Sequence, residues 1–549
     1  MNNFADHSSE KLKHISCCLQ AGLGKLHQSI HASLLSLLQT LLFQVNPFWI
    51  ELGYFITLSS LGFLALNASS PRTTTTFKPK NIDLFFTSVS ASTVSSMSTV
   101  EMEVFSNTQL VFLTILMLVG GEVFTSMLGL HLIRAKNYLQ KNRLITHRRE
   151  SDSSVSSDTS PDSPTDRIEL EMAARFPDEK SDTKPGETGG NLNHKSIKIL
   201  AYFVACYLLV VHVAGSTLIS VYFSLIPSAR RVLKIKGLSM QTFSIFTTVS
   251  TFANCGFVPT NENMMAFKKN SGLLLILIPQ ILMGNTLYPV CLRSAIWAAE
   301  KMSGRAEFRH MLKNSRELGY GHLISGRHCV YLGITGVGFV IVQLVVFCLL
   351  EWKSEATGGL SAYEKLVGSL FQVVNSRHTG ESVFDLSAIS PAILVLFVAM
   401  MYLPPYTSFL PIDEAENMKA GGEKCRRKNK KGIREHIMFS QLTYLLIFVI
   451  LICITERRKM KTDPLNFNVL NIVVEVVSAY GNVGFSVGYS CERQTNPNHD
   501  CKDAWYGFAG RWSNEGKLVL IVVMLFGRLK KFNMRGGRAW THDLSYSTV

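Results

Sequence analysis

Eight stretches of this chain are apolar over about the length that crosses a bilayer, and this decides which folds are open to it. They are Leu34–Leu66 (interrupted at Pro47), Gln109–Ile133, Ile199–Ile226, Gly272–Ala299, Cys329–Leu350, Pro391–Leu410, Ile437–Thr455 and the shorter Lys517–Leu529. Only 17% of the 549 residues are charged. A soluble domain carries roughly 25%, so solvated surface is in deficit. The net charge of +15 raises nucleic acid as a partner, but the basic residues sit in short runs between the apolar blocks, as they do beside membrane spans. The sequence predicts an all-α polytopic membrane protein, surrounded by lipid and without a nucleic-acid partner.

The blocks fall into four pairs. Between the members of each pair lies a segment rich in Ser, Thr, Gly and Asn, too short and too polar to span. The second, Thr251–Val258, and the fourth, Ser478–Val487, align on Asn-x-Gly-Phe at Asn254 and Asn482. The third, Asn375–Val383, keeps the glycine at Gly380, and the first, Thr93–Val100, has Ser96 in its place. Four copies of a span–re-entrant–span unit follow, the kind of repeat to seek first. The implied order is a segment 1–33, repeat A 34–133, a linker 134–197 and repeat B 198–300. A loop 301–328, repeat C 329–413, a basic loop 414–435, repeat D 436–533 and a tail 534–549 complete it.

Residues 150–195 are dominated by Ser, Asp, Pro, Thr and Glu, a composition that cannot bury enough apolar area to offset ordering, so disorder is expected there. Loops 134–149, 293–327 and 419–434 and the tail 528–538 carry six, seven, eight and five Lys or Arg, which favours both termini in the cytoplasm. Arg230, Arg231, Lys234 and Lys236, with Arg457, Arg458, Lys459 and Lys461, count against it. Asn67-Ala68-Ser69, the one glycosylation sequon, falls in a loop that this orientation puts outside. Cys491 and Cys501 share a polar loop and read either as an extracytoplasmic disulfide or as two unrelated cysteines. The first 30 residues lack the uninterrupted apolar core of a cleavable signal.

Irregular backbone at membrane depth is tolerated only where it is buried in protein or lines a watery cavity. One such segment per repeat implies a shared axis. A short helix ending there points its partly negative C-terminus inward, and extended residues around a glycine present carbonyl oxygens that can replace a cation's hydration shell. Loops that merely plug a bundle are the plainer alternative.

The chain from about residue 34 onward resembles the plant HKT sodium and potassium transporters of the Trk/Ktr/HKT superfamily. The resemblance rests on Val45–Ile50, Thr93–Glu101, Asn254–Phe257, His378–Glu381, Gly481–Phe485 and Phe526–Gly537. It implies eight spans and four re-entrant pore helices in pseudo-fourfold arrangement about one pore, in a plasma-membrane homodimer with one pore per subunit. The family's filter positions fall on Ser96, Gly256, Gly380 and Gly484, flanked by Ser95, Asn254, Cys255, Thr379, Asn482 and Val483. A Ser-Gly-Gly-Gly filter resembles the sodium-selective subgroup, and a fourth glycine resembles members that also move potassium. The function implied is passive Na⁺ transport in plant sodium homeostasis and salt tolerance, with no cofactor. Na⁺/K⁺ cotransport is the nearest alternative; a membrane enzyme or a non-conducting receptor is a distant one. Arg528 resembles the family's positive gate beneath the filter, and also reads as the first residue of a boundary basic run. Lys517 reads as a vestibule charge or as an interfacial snorkel. Pro404, Pro405 and Pro411 interrupt the sixth span, as in the family.

Several single residues keep two readings. Glu122 lies in mid-span, where a charge is costly, and serves either pore electrostatics or a buried hydrogen bond. His212 reads first as helix packing, and His378 as support for the filter loop ahead of pH sensing. Glu101, Glu103, Glu262 and Glu381 either concentrate cations at the outer mouth or solvate it. Gly484–Gly488 fits G-x-S-x-G, but that motif needs a strand-to-helix turn and His and acid partners.

Overall fold

The computed structural model describes residues 45–72, 79–135, 185–315, 317–407, 441–494 and 501–529, and among them it contains helices and no strand. The first quarter forms α1 (Pro47–Ala68), α2 (Asn81–Ser92), α3 (Asn107–Gly120) and α4 (Glu122–Ala135). The second forms α5 (Pro185–Leu225), α6 (Pro227–Ile235), α7 (Met240–Ala253), α8 (Ser271–Gly284) and α9 (Tyr288–Ser303), followed by α10 (Ala306–Lys313). Then come α11 (Gly326–Glu351), α12 (Ala362–Asn375) and α13 (Pro391–Tyr402). The last quarter holds α14 (Gln441–Thr455), α15 (Arg457–Thr462), α16 (Val469–Gly481) and α17 (Asn514–Leu529).

Two compact units divide the chain. In the smaller, residues 1–51 and 131–185, Phe48 N–H donates to Asn46 Oδ1 (3.1 Å), capping the start of α1 with Pro47 as its first residue. Pro47 therefore begins this helix; residues 34–44 of the expected first span lie outside the described residues. The larger unit, residues 52–130 and 186–549, carries the packing that follows.

Three helices are long and apolar enough to cross a membrane: α1, α11, and α5 over Leu192–Leu225. The pairs α3/α4 and α8/α9 raise the number to five if each is one span, bent by 54° and 86°. At the three remaining expected positions stand shorter helices, α13, α14 and α17, of 12, 15 and 16 residues. The helix α13 stops at Tyr402 because Pro404 and Pro405 follow; Pro411 lies outside the described residues. Helix α5 begins at Pro185, so residues 185–195 are helical rather than disordered: the helix of the apolar run Ile199–Ile226 propagates backward into the linker. The rest of the expected disordered stretch, to residue 184, lies outside the described residues.

The inner segments fold as four short helices, α2, α7, α12 and α16. Ser361 and Glu364 form a capping box on α12, Ser239 Oγ accepts from Thr242 N–H on α7, and Asn468 Oδ1 accepts from Asn471 N–H on α16. Each following helix packs on the short helix of the next quarter: α3 on α7, α8 on α12, α13 on α16, and α17 back on α2. Within a quarter the approach is close as well. A Cβ on Gly120, Gly284 or Gly527 would collide with the carbonyl oxygen of Ser92, Phe252 or Tyr480, each near the end of a short helix.

Candidate functional site

The four short helices stop in related ways, and the stops build the site. In α2, α7 and α16 a residue in the left-handed region ends the helix: Val94 (φ 53°), Asn254 (59°) and Asn482 (52°). The next amide then reaches back five positions, Ser95 to the Ser90 carbonyl, Cys255 to Ser250 and Val483 to Ser478, at 2.8–3.0 Å. This is the Schellman stop, with Val94, Asn254 and Asn482 in the place glycine usually takes. In the third segment Gly380 N–H bonds the Asn375 carbonyl instead (3.1 Å).

Two residues beyond each stop, or in register with it, stand Ser96, Gly256, Gly380 and Gly484, with φ of 53°, 86°, 72° and 104°. The four form a closed ring. A Cβ on Gly256 would strike the Thr379 carbonyl and lie 3.2 Å from Ser96 Oγ. One on Gly380 would strike the Val483 carbonyl, and one on Gly484 would strike Ser96 Cβ and lie 3.0 Å from the Ser95 carbonyl. Positive φ and the neighbour's backbone thus both demand glycine at three positions. Ser96 is the exception, and its side chain fills the space beside Gly484.

The flanking residues stitch the ring across quarters. Thr379 Oγ1 donates to Asn254 Oδ1 (2.7 Å), and Asn482 Nδ2 donates to Ser95 Oγ (2.7 Å) and to the Met524 carbonyl (3.1 Å). Cys255 and Val483 are fully buried behind the ring. Above it opens a cavity of about 640 Å³ whose lining includes Ser96, Gly380, Gly484, Phe257 and Glu262.

The mouth charges are arranged differently from the sequence expectation. Lys236 Nζ bridges Glu103 (2.8 Å) and Glu262 (2.6 Å), so two of the four carboxylates share one counter-ion. Partial burial pulls Lys236 down, but the two carboxylates outweigh it and hold the ammonium above its usual range. Glu101 accepts from Trp505 N–H (3.1 Å) and Asn261 Nδ2 (3.3 Å). Glu381 is not at the mouth: it is fully buried, with Oε1 accepting from Thr251 Oγ1 (2.5 Å) and its N–H donating to Asn375 Oδ1 (3.1 Å).

Lys517 is neither a vestibule charge nor an interfacial snorkel. It is 6% exposed and pairs with Asp83 in the first turn of α2 (2.7 Å), because α17 packs on that helix. Arg528 is buried too. Its Nη1 donates to Glu122 Oε2 (3.0 Å), its Nη2 to the Gly120 carbonyl (2.5 Å), and the guanidinium lies 5.4 Å from the Phe55 ring centroid. The two charges weighed separately in the sequence are therefore one ion pair. His212 Nδ1 contacts the Leu208 carbonyl (2.7 Å), with its ring edge-on to Phe252, and His378 is buried beside the ring. Cys491 and Cys501 are bonded, with Cα atoms 5.9 Å apart, and Asn67 is exposed near the end of α1.

Sequence reasoning missed Asp83, Thr251 and Arg377, whose Nη2 donates to the Pro404 carbonyl (2.6 Å). It also missed residues 505–509, whose amides bond Glu101, Ser98, Ser486 and Glu475. The run of aromatics and glycines from Trp505 to Trp512 was the available signal.

The "Cation transporter HKT1;3" of Oryza sativa subsp. japonica is 52% identical over 507 residues, 91% of this chain and 92% of that one. The "Sodium transporter HKT1" of Arabidopsis thaliana is 53% identical over 481 residues, 87% and 91% respectively. The family model TrkH, described as a cation transport protein, matches residues 180–535. The chain belongs to the HKT branch of the TrkH family. This is a family of membrane ion transporters and not of enzymes. The crystal structure of the potassium transporter TrkH from Vibrio parahaemolyticus is similar over 89% of this HKT chain and 84% of that chain, at 14% identity and a TM-score of 0.47.

Proposed function

We propose that Ser96, Gly256, Gly380 and Gly484 form the selectivity filter of a Na⁺-selective, passive transporter. In this reading four span–pore helix–span units surround one pore in pseudo-fourfold symmetry, with α2, α7, α12 and α16 as pore helices. The bent or shortened helices count as the spans that complete the eight. The single observation carrying the reading is the closed ring of four left-handed residues, whose three glycines each pack on the backbone of the next quarter. Such a ring turns successive carbonyls toward one axis, where they stand in for a cation's water shell. The four pore-helix C-termini add negative potential at the same place.

Sodium selectivity is argued from Ser96. Its hydroxymethyl group narrows one quarter of the ring, where Gly484 already leaves no room for a Cβ, so the larger K⁺ is harder to dehydrate symmetrically. The sodium transporter among the relatives supports the same assignment. We place the protein in the plasma membrane with both termini in the cytoplasm, as a homodimer with one pore per subunit, serving sodium homeostasis and salt tolerance in plant tissue. Asn67 is then extracellular and open to glycosylation.

The test is two-electrode recording in oocytes with Na⁺ and K⁺ exchanged. Wild type should follow the Na⁺ gradient, and Ser96→Gly should move the reversal potential positive in K⁺ solution. An unmoved potential in that variant removes the filter assignment. Arg528 is read as the gate charge held by Glu122. Arg528→Gln should raise inward current; Glu122→Gln should lower it, because the guanidinium charge is then less compensated.

A further inference from the structure

Residues 505–509, in the loop before α17, bracket the seam between the first and fourth loops of the ring. On one side Gly507 N–H donates to the Ser98 carbonyl (3.0 Å) and Ser98 Oγ (3.1 Å), and Trp505 N–H to Glu101 Oε1 (3.1 Å). On the other side Phe508 N–H donates to Ser486 Oγ (2.7 Å) and Ala509 N–H to Glu475 Oε1 (2.9 Å). Ser98 and Ser486 stand two residues beyond Ser96 and Gly484, so the bracket ties equivalent points of two loops just above the ring. At this seam the Ser96 side chain fills the space beside Gly484.

The bracket is itself fixed. Lys459 Nζ donates to the Arg511 carbonyl (2.6 Å), and the Arg511 guanidinium lies 4.8 Å from the Tyr489 ring and 5.7 Å from the Tyr506 ring. The disulfide Cys491–Cys501 closes the loop upstream, and Cys491 N–H donates to Asp503 Oδ1 (2.7 Å). Glu475 is the anchor within α16. It is fully buried, and its second oxygen has no hydrogen-bond partner among the described residues. A carboxyl so placed is expensive to bury, and what it meets is the bracket and its anchor point: the amide of Ala509 and the side chain of Ser486.

We propose that the 505–509 bracket sets the spacing of Ser96 against Gly484, with Glu475 as its positioning residue, and that discrimination between Na⁺ and K⁺ depends on it. The inference rests on the filter reading above, and Ser96→Gly is run beside it as the control. The measurement is the Na⁺/K⁺ permeability ratio from reversal potentials, which a change in the number of folded transporters does not move. Glu475→Leu should lower the ratio about fivefold, the scale of one lost backbone hydrogen bond. Glu475→Gln, which keeps the acceptor oxygen, should hold the wild-type ratio. Ser486→Ala removes the acceptor of Phe508 N–H with little change of volume and should move the ratio the same way; it decides the matter where Glu475→Leu carries no current. If Ser96→Gly shifts the ratio while Ser486→Ala leaves it at the wild-type value, or if the Gln and Leu variants act alike, the bracket has no such role. If Ser96→Gly itself shifts nothing, the filter reading and this inference fall together.

Discussion

Ser96 sits at φ 53°, a conformation that costs an L side chain about 1–2 kcal/mol and that glycine adopts freely. Its three ring counterparts are glycine, so this strain is retained at one position only, where the proposed selectivity needs a side chain. Ser96→Gly should therefore raise thermal stability by about 1 kcal/mol in purified protein even as it admits K⁺. The Asp83–Lys517 pair makes the opposite bargain. Both side chains are buried, so Asp83→Ala strands an ammonium and should cost about 3–5 kcal/mol, whereas Asp83→Leu with Lys517→Met should recover most of the loss. Detergent-melting curves of the three proteins distinguish a buried pair from a solvated one. Lys236 differs again, being partly exposed. Its folded-state pKa is raised, so its stabilisation is full below the lysine's ordinary value and fades only in strong alkali. The effect of Lys236→Gln on melting should be the same at pH 5.5 as at pH 8.

At the level of elements, the sequence carried the positions of the short helices but not their stops in full. Asn254 and Asn482 announced two stops, because Asn tolerates the left-handed region; Val94 takes the same conformation with no such signal. The four ring positions were legible because they repeat. Lys517, Glu381 and Arg528 were misplaced or left open because their partners Asp83, Thr251 and Glu122 lie far off in sequence, and local pattern does not encode who faces whom. Bends were hidden for a related reason. The apolar run Gln109–Ile133 carries no sign of a break, yet it bends near Gly120 and Gly121, where Gly120 must clear the Ser92 carbonyl. Gly284→Ala should bring a methyl group against the Phe252 carbonyl and cost about 1–3 kcal/mol, read as a lower melting temperature.

For the whole molecule, the circular order of packing matters more than any one helix. The contacts of α3 on α7, α8 on α12 and α13 on α16 join quarters that are adjacent in the chain, while that of α17 on α2 joins its ends. Lys517 and Asp83 are 434 positions apart, and Asn482 and Ser95 are 387 apart. A ribosome delivers the first quarter long before the last. Until α17 enters the bilayer, α2 has one flank uncovered and Asp83 lacks its counter-ion, so closure of the ring waits on the final few dozen codons. Chains terminated ahead of Asn514 should accordingly be retained and degraded during biosynthesis rather than accumulate as three-quarter assemblies.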